Sequence, residues 1–552
     1  MVAGQSYRPT RRAARRVDTG SDLAHRCCGE SNRLVDRWLE EGVRPVLVTT
    51  KIKDIHELAA ELELVRRGRT VVQCHGVFDL LHIGHIRHFQ QAKKSGEMLI
   101  VTVTPDRHVN KGPHRPVFTE LLRAEAIAAL DGVDYVAINK WPTAVEAIQL
   151  LRPDVYAKGS DYANASTDIT GGISLERSAI EDIGGKLVFT DEIRFSSSAL
   201  LNQHMSMFSD EVNEYLTEFR RTYSTADVTG FIDRARTVRA LVVGDAIIDD
   251  YQYCETLGKS GKEPILAAQF VRSEKFVGGA LAVANHIASC CADVRLVTML
   301  GSDDSHEAFI RASLAPGVVP EFLTMAGAPT LIKRRFIETY PFQKLFEVYV
   351  MNEQAAQQKA HDLCAVLEQV VPEVDVVIAA DYGHGMIGPA VVDVLCRTAR
   401  CLAVNAQVNA GNHGFNTVSK YRRADFISLS EKEIRLEARN PSGDLRELVH
   451  RVAGALQCRQ VLVTRGARGS LCYGRDEGFF ETPGFALRTV DRVGAGDAVF
   501  AIGSVCAAVG APIEVIGFIG NAVGSEAVGI VGNQRFIERA PLLKHIEALL
   551  KV

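Results

Sequence analysis

From about Arg69 onward, short β-branched runs alternate with amphipathic stretches, and this alternation restricts the chain to β-α-β units wound on parallel sheets. Val71-Val72-Gln73-Cys74 reads as a strand, Ile86 to Lys94 as a helix and Met98 to Thr104 as a second strand. Thr119 to Leu130 reads as helical, and Asp134 to Ile138 as the next strand. At 552 residues the chain is too long for one core, so two or three domains are expected. Residues 1–45 form a basic leader in which Arg8, Arg11, Arg12, Arg15 and Arg16 meet no acid within the first 16 residues; without an apolar period it reads as disordered. A Rossmann-like α/β domain fills 46–205. Residues 206–236, with Glu211, Glu214, Glu218, Arg220 and Arg221 at helical spacing, read as a linker helix outside either core. A second α/β domain opens at Ala240-Leu-Val-Val-Gly244 and fills 237–552.

A net charge of −4 argues against a global nucleic-acid footprint. No run of about 18 apolar residues suggests a membrane span. The twelve cysteines show no C-x-x-C repeat, which speaks against a zinc site or a disulfide framework and for a cytoplasmic chain with reduced thiols.

Two phrases carry chemistry. The first is Gly76-Val-Phe78-Asp79-Leu-Leu-His82-Ile-Gly84-His85, placed after a strand and opening a helix. A helix start offers unpaired N–H groups and a positive dipole end to phosphate, and Gly84 lets backbone approach a nucleotide. Two histidines three positions apart can donate to an α-phosphate as charge builds during in-line attack. A lone H-x-x-H would read equally well as surface or metal-binding histidines; the whole phrase favours phosphate. The second is Asp491-Arg-Val-Gly494-Ala495-Gly496-Asp497. Its glycines open a helix whose N–H groups form an anion hole for a γ-phosphate, and Asp497 is placed as general base for a sugar hydroxyl.

The first phrase resembles the cytidylyltransferase-like nucleotidyltransferases, and specifically the adenylyltransferase half of bifunctional heptose-phosphate kinase/adenylyltransferases, from about Lys51 to Asn202. The resemblance implies that Lys111 and Arg123 neutralise a triphosphate, and that Ser197 and Ser198 hydrogen-bond the leaving pyrophosphate. It also puts Lys158, Gly159 and Asp161 near the base or sugar phosphate. Class I aminoacyl-tRNA synthetases share the His82-Ile-Gly-His85 signature, but no K-M-S-K-S-like loop follows.

The second half resembles the ribokinase (PfkB) carbohydrate kinases over about 238–548. By resemblance Asp249, Gly278, Gly279, Lys333, Arg335 and Asp381 face the sugar. Thr464, Gly466, Gly469, Gly494, Ala495, Gly496 and Asn521 face the nucleotide, and Glu431 helps order Mg2+. Here the family's N-x-x-E reads Ser428-Leu-Ser-Glu431. Ala282 stands for an asparagine, Val493 for a threonine, and Asn405-Ala-Gln407 for Asp-Pro-Lys.

Together the halves are expected to phosphorylate a heptose-like sugar phosphate and then transfer a nucleotide to a sugar 1-phosphate. ATP serves the kinase, ATP or CTP the transferase, and Mg2+ both. Two alternatives stand beside this: a CTP-dependent polyol- or sugar-phosphate cytidylyltransferase, and a kinase-fold half that is regulatory or acts on a different sugar. The partners expected are small molecules, with neither nucleic acid nor membrane; both folds often self-associate, so the resemblance admits a homo-oligomer.

Overall fold

The computed structural model describes residues 50–109, 112, 115–160, 172–190 and 208–551. The basic leader, Lys111, Asp161, Ser197 and Ser198 lie outside these residues.

In the N-terminal part, six strands form one parallel sheet: β1 (Ile52–Lys53), β2 (Val71–Gly76), β3 (Met98–Val103), β4 (Tyr135–Ile138), β5 (Val155–Gly159) and β6 (Lys186–Thr190). Their order is β1-β4-β3-β2-β5-β6. The central strands are apolar along their length because both faces are covered. Val72, Leu99 and Val101 pack against Phe89 and Ile127 on one face, while Val71, Met98 and Ile100 pack against Ile55, Leu58 and Leu62 on the other. The chain runs outward from β2 through β3 and β4, then returns to β5 on β2's other side. This reversal leaves a crevice beyond the strand ends, where doubly wound sheets take ligands. The histidine phrase leaves β2 at that point.

The second half is built on β7 (Arg239–Gly244), β8 (Ala246–Lys259), β9 (Leu266–Gly279), β10 (Asp293–Asp303), β11 (Val318–Pro329), β12 (Ile332–Glu338) and β13 (Gln343–Val350). It continues with β14 (Val376–Asp381), β15 (Leu402–Ala406), β16 (Phe426–Ser430), β17 (Gln460–Thr464), β18 (Ser470–Gly474) and β19 (Gly478–Thr482). Nine of these form one sheet, β11-β10-β7-β14-β15-β16-β17-β18-β19, parallel up to β17 and antiparallel beyond it. A separate sheet, β13-β12-β8-β9, stands over one end of the large sheet, and its strands β8 and β9 are 14 residues each. Sequence patterning does not separate this second sheet from the α/β repeat. Among the described residues no helix is long and apolar enough to cross a membrane.

The stretch read as a linker helix is corrected. It contains two helices, Asp210–Thr222 and Thr225–Ala235, and both belong to the second core. Val212, Leu216, Phe219, Val228, Ile232 and Ala235 are buried in the apolar cluster that also holds Phe485, Phe500 and Phe518. The Phe219 ring stacks on Phe518 with centroids 4.4 Å apart. Arg220 donates to the Leu549 carbonyl at 2.6 Å. Glu211, Glu214, Glu218 and Arg221 are exposed, whereas the apolar stripe at 212, 216 and 219 faces the core and Arg220 reaches the C-terminal helix. Phe219→Ala is therefore expected to destabilise the kinase-like half by about 3 kcal/mol, measured by denaturant unfolding. A change below about 0.5 kcal/mol would restore the linker reading.

Candidate functional site

At the end of β2 the chain turns sharply into the helix Ile83–Lys93. Phe78 takes a left-handed conformation (φ +49°) and is buried, with its ring edge-on to His85 at 5.3 Å. His82 is the N-cap, and its Nδ1 accepts from the Gly84 N–H at 3.1 Å. That bond leaves Nε2 as the only ring nitrogen that can carry a proton when the imidazole is neutral. The His82 and His85 rings stack with centroids 3.9 Å apart, so both imidazoles stand together over the helix start.

Asp79 faces inward. Its Oδ1 accepts the Val117 N–H at 2.5 Å, and its Oδ2 lies 2.8 Å from Arg115 Nε. The carboxylate thus fastens the 115–118 loop to the histidine turn, a positioning role. Lys158, on β5, is buried and pairs with Glu176 at 2.9 Å. Gly76 ends β2, and a Cβ there would meet the Phe78 ring at 3.0 Å.

Arg123 departs from the expectation that it neutralises a triphosphate. Its side chain is fully buried, with Nε on the Phe118 carbonyl at 2.9 Å and Nη2 on the Thr104 carbonyl at 2.9 Å. It also donates to the Val77 carbonyl and pairs with Asp106. A guanidinium so committed joins three loop carbonyls and has no donor facing outward.

In the second half, the helix Ala495–Ala508 starts at Gly494, whose φ of +82° needs a residue without Cβ; a Cβ there would lie 2.1 Å from Asn533 Oδ1. Gly496 faces open space. Asp497, half-buried in the first turn, accepts the Tyr382 hydroxyl at 2.8 Å. Burial, with Asp249 adding, pushes its carboxyl up to about 6, against the opposing pull of Tyr382 and Lys333.

Asp249 on β8 pairs with Arg335 on β12, and both are buried beneath the small sheet. Gly278 permits this: a Cβ there would lie 2.5 Å from Asp249 Oδ2. Gly279, at φ +59°, then turns β9 into the helix Ala280–Ala288, on which Ala282 is buried. Lys333 is buried with its Nζ 5.1 Å from the Tyr349 ring and 5.7 Å from the Tyr382 ring; burial lowers its pKa although Asp249 opposes. Asp249, Lys333, Arg335 and Asp497 are thus gathered under the small sheet.

Asp381 is not open to a sugar in this arrangement. Its oxygens take Lys420 Nζ at 2.5 Å, the Tyr421 hydroxyl at 2.8 Å and Asn416 Nδ2 at 3.1 Å. It fixes the turn that presents Tyr382 and His384. Asn409 and Asn412 reinforce that turn by donating to the Tyr382 carbonyl at 2.7 and 3.0 Å. The sequence reading gives Tyr382 and His384, which follow Asp381 in the segment beside the substrate, no role of their own, and it leaves out the asparagine loop, whose only signal is three asparagines within eight residues. His384 is buried and neither ring nitrogen has a hydrogen-bond partner; burial, with Lys333 adding, lowers its pKa to about 3.

On the nucleotide side, Thr464 ends β17 and Gly466 (φ +61°) opens the turn that follows. Gly469 closes it, where a Cβ would strike the Thr482 carbonyl at 2.0 Å. Asn521 donates to Ser470 Oγ at 2.8 Å and to the Gly517 carbonyl at 2.8 Å, which leaves its carbonyl oxygen as the part able to meet a base. Glu431 does not fit the metal-ordering role. Its Oε1 takes Arg435 at 2.9 Å and its Oε2 takes Arg468 at 2.6 Å. Asn405 Nδ2 is spent on the Ser428 carbonyl at 2.7 Å. Among the described residues no group of three or more His, Cys, Asp or Glu side chains is arranged to hold a metal.

Arg123→Met tests the reassignment of that residue. It leaves loop carbonyls and Asp106 without their buried partner, so unfolding of the N-terminal half is expected to become easier by about 3 kcal/mol. Thermal melting with and without triphosphate measures it. An unchanged melt with weakened nucleotide binding would return Arg123 to the phosphate.

Residues 239–539 match the model of the pfkB family carbohydrate kinases, and residues 73–203 match the cytidylyltransferase-like family. Among curated proteins, the bifunctional protein HldE of Citrifermentans bemidjiense is 27% identical over 320 residues, covering 55% of this chain and 63% of that protein. HldE of Syntrophotalea carbinolica is 33% identical over 187 residues, covering 33% of this chain and 37% of that protein. These matches therefore span less than two thirds of either relative. Among solved structures, Arabidopsis thaliana ribokinase complexed with ribose and ATP superposes with a TM-score of 0.44 at 20% identity, covering 57% of this chain and 99% of that one. With a family model spanning more than half its length, and with the glycine turn and Asp497 inside that span, the chain belongs to the pfkB family of carbohydrate kinases and carries a cytidylyltransferase-like unit ahead of it.

Proposed function

We propose that this chain is a bifunctional enzyme that phosphorylates a heptose-like sugar phosphate and joins a nucleotide to a sugar 1-phosphate, giving an ADP-heptose-like product. The observation that carries the reading is Asp497. It is a carboxylate at a glycine-opened helix start, hydrogen-bonded to Tyr382 and close enough to the buried Asp249 and Lys333 to feel their charges. The two HldE relatives, named as bifunctional proteins, support the pairing of activities.

In the kinase half the sugar's phosphate meets Lys333 and Arg335. Asp497 takes the proton from the attacking hydroxyl, and the Gly494–Gly496 backbone receives the γ-phosphate of ATP. Desolvation favours the neutral carboxyl, which makes Asp497 a stronger base than an exposed aspartate once ionised. In the transferase half a sugar 1-phosphate attacks the α-phosphate of ATP, with CTP as the alternative donor, and pyrophosphate leaves. His82 Nε2 and His85 stabilise the charge that builds there. Lys111, Ser197 and Ser198 are assigned to the triphosphate on resemblance. Both families generally use ATP and Mg2+. The arginines on Glu431 argue that this residue does not hold the metal. A cytoplasmic location is supported by the nucleotides and sugar phosphates these reactions would consume.

A regulatory kinase-fold half is the second reading, favoured by the commitment of Glu431 and Asn405 to neighbours within the protein. Asp497→Asn decides between them. It should abolish ADP formation from ATP and a sugar phosphate while leaving pyrophosphate release from a sugar 1-phosphate near wild type. His85→Ala should do the reverse. No sugar-dependent ADP from the wild type across a heptose-phosphate panel would favour the regulatory reading.

Acidity gives a separate check. Asp497 must be ionised to accept a proton, so kcat for phosphorylation should rise with pH through about 6 and level off above it. Because the folded-state value lies above the unfolded one, the protonated carboxyl favours folding, and that contribution is lost as pH climbs from about 4 through about 6. Asp497→Asn should accordingly raise Tm at pH 7. A lower Tm, or a rate flat between pH 5 and 7, would contradict the assignment.

A further inference from the structure

The helix Arg539–Leu550 belongs to the second core: Leu542, Leu543, Ile546 and Leu549 are buried in its apolar cluster, and Arg539 pairs with Asp233. One buried side chain of this helix is polar. His545 sets its Nδ1 2.8 Å from Glu526 Oε1, near the end of the helix Ile513–Ala527 that also carries Asn521. An ionised carboxylate only accepts, so Nδ1 carries the proton and the bond fixes the ring in one orientation.

The opposite edge of that ring is met by the first half. Gly112 lies so close that a Cβ on it would fall 2.5 Å from His545 Cδ2 and 2.9 Å from Nε2. Its φ of +91° independently calls for a residue without Cβ. Three residues on, Arg115 Nε lies 2.8 Å from Asp79, and the Val117 N–H donates to the same carboxylate at 2.5 Å. Asp79 in turn stands just ahead of His82 and His85. Gly112 and Arg115–Phe118 are therefore fastened at two points, one on the kinase-like half and one on the histidine turn.

A short segment held at two points has less freedom to lose when a ligand orders it. Groups that meet reacting phosphates need placement to within about an ångström, because a shift of that size costs roughly a hundredfold in rate. Lys111, assigned to the triphosphate on resemblance, directly precedes Gly112 in the chain. His545 has what a brace needs: it is buried, oriented by Glu526 and rooted in a helix whose apolar face is fixed.

We infer that His545 is a positioning residue of the N-terminal site, through which the kinase-like half sets the segment that Asp79 ties to the histidine turn. The inference rests on the transferase reading above. It makes the second half a structural part of the first half's active site, so the transferase reaches its full rate only in the joined chain.

The test uses the full-length protein, with hydrogen exchange reading the contact and pyrophosphate release reading its use. His545→Ala should speed exchange of the Val117 and Phe118 amides about tenfold and leave 98–103 unchanged. Gly112→Ala, which removes nothing from the second core, should speed exchange across 543–549. Each should lower kcat for pyrophosphate release from a sugar 1-phosphate about tenfold, with the KM for that sugar phosphate and the ADP formation of the kinase half near wild type. In the double variant the loss should be smaller than the product of the single losses, because the added methyl no longer meets a ring. Wild-type exchange at 115–118 in His545→Ala overturns the inference, as does wild-type exchange at 543–549 in Gly112→Ala should the first variant misfold. It is equally overturned if kcat does not fall, if the two losses multiply, or if ADP formation falls as far as pyrophosphate release. A wild type that releases no pyrophosphate with ATP or CTP overturns the transferase reading and the positioning role together, whereas the other outcomes overturn the role alone.

Discussion

Asp491 is the buried carboxylate on which the kinase site depends. One oxygen takes the Tyr251 hydroxyl at 2.7 Å and the Gly532 N–H at 3.0 Å; the other takes Lys344 Nζ at 2.5 Å and the Val493 N–H at 3.1 Å. Tyr251 lies on β8 and Lys344 on β13, so the small sheet is tied to the residues just before the glycine turn. These partners keep the Asp491 carboxyl ionised, with a pKa below the ordinary range although burial opposes it. A buried carboxylate with four donors fixes geometry as well as charge. The same four bonds set where Asp249, Lys333 and Arg335 stand relative to Asp497.

Both halves show one kind of economy. The charged residues that look most like ligands are divided between those facing a site and those holding it in shape. Asp79, Arg123, Asp381 and Asp491 are buried and saturated by donors or acceptors of the protein itself. Asp497, Lys333 and the paired imidazoles are clustered at helix starts and under the small sheet. Motif matching does not separate these groups, because both kinds recur at the same spacing. The separation appears only when hydrogen-bond partners are counted.

That also explains how much was legible in the sequence. The parallel sheets, the histidine turn after β2 and the glycine start at Gly494 rest on short-range patterns, and the structure has them where those patterns lie. The strand read as Val71 to Cys74 runs to Gly76, and the helix read from Ile86 starts at Ile83, as capping by His82 dictates. The small sheet was not legible, because β12 pairs with β8 across more than 80 residues and no local period announces it. The roles of Arg123 and Glu431 failed for a similar reason: their partners Thr104 and Arg468 are remote in the chain. The 206–236 stretch failed otherwise, since its apolar stripe was present but the charges between were given more weight.

Because the helices Asp210–Thr222 and Thr225–Ala235 are built into the second core, that core reaches back at least to Phe208 among the described residues, well ahead of the family boundary near 239. A dissection guided by family limits would strip Phe219 and Ile232 from the kinase half, baring Phe518 and its neighbours to water. Such a fragment would aggregate for reasons unrelated to catalysis, and its inactivity would say nothing about the enzyme. A fragment that begins at Phe208 keeps the whole apolar layer.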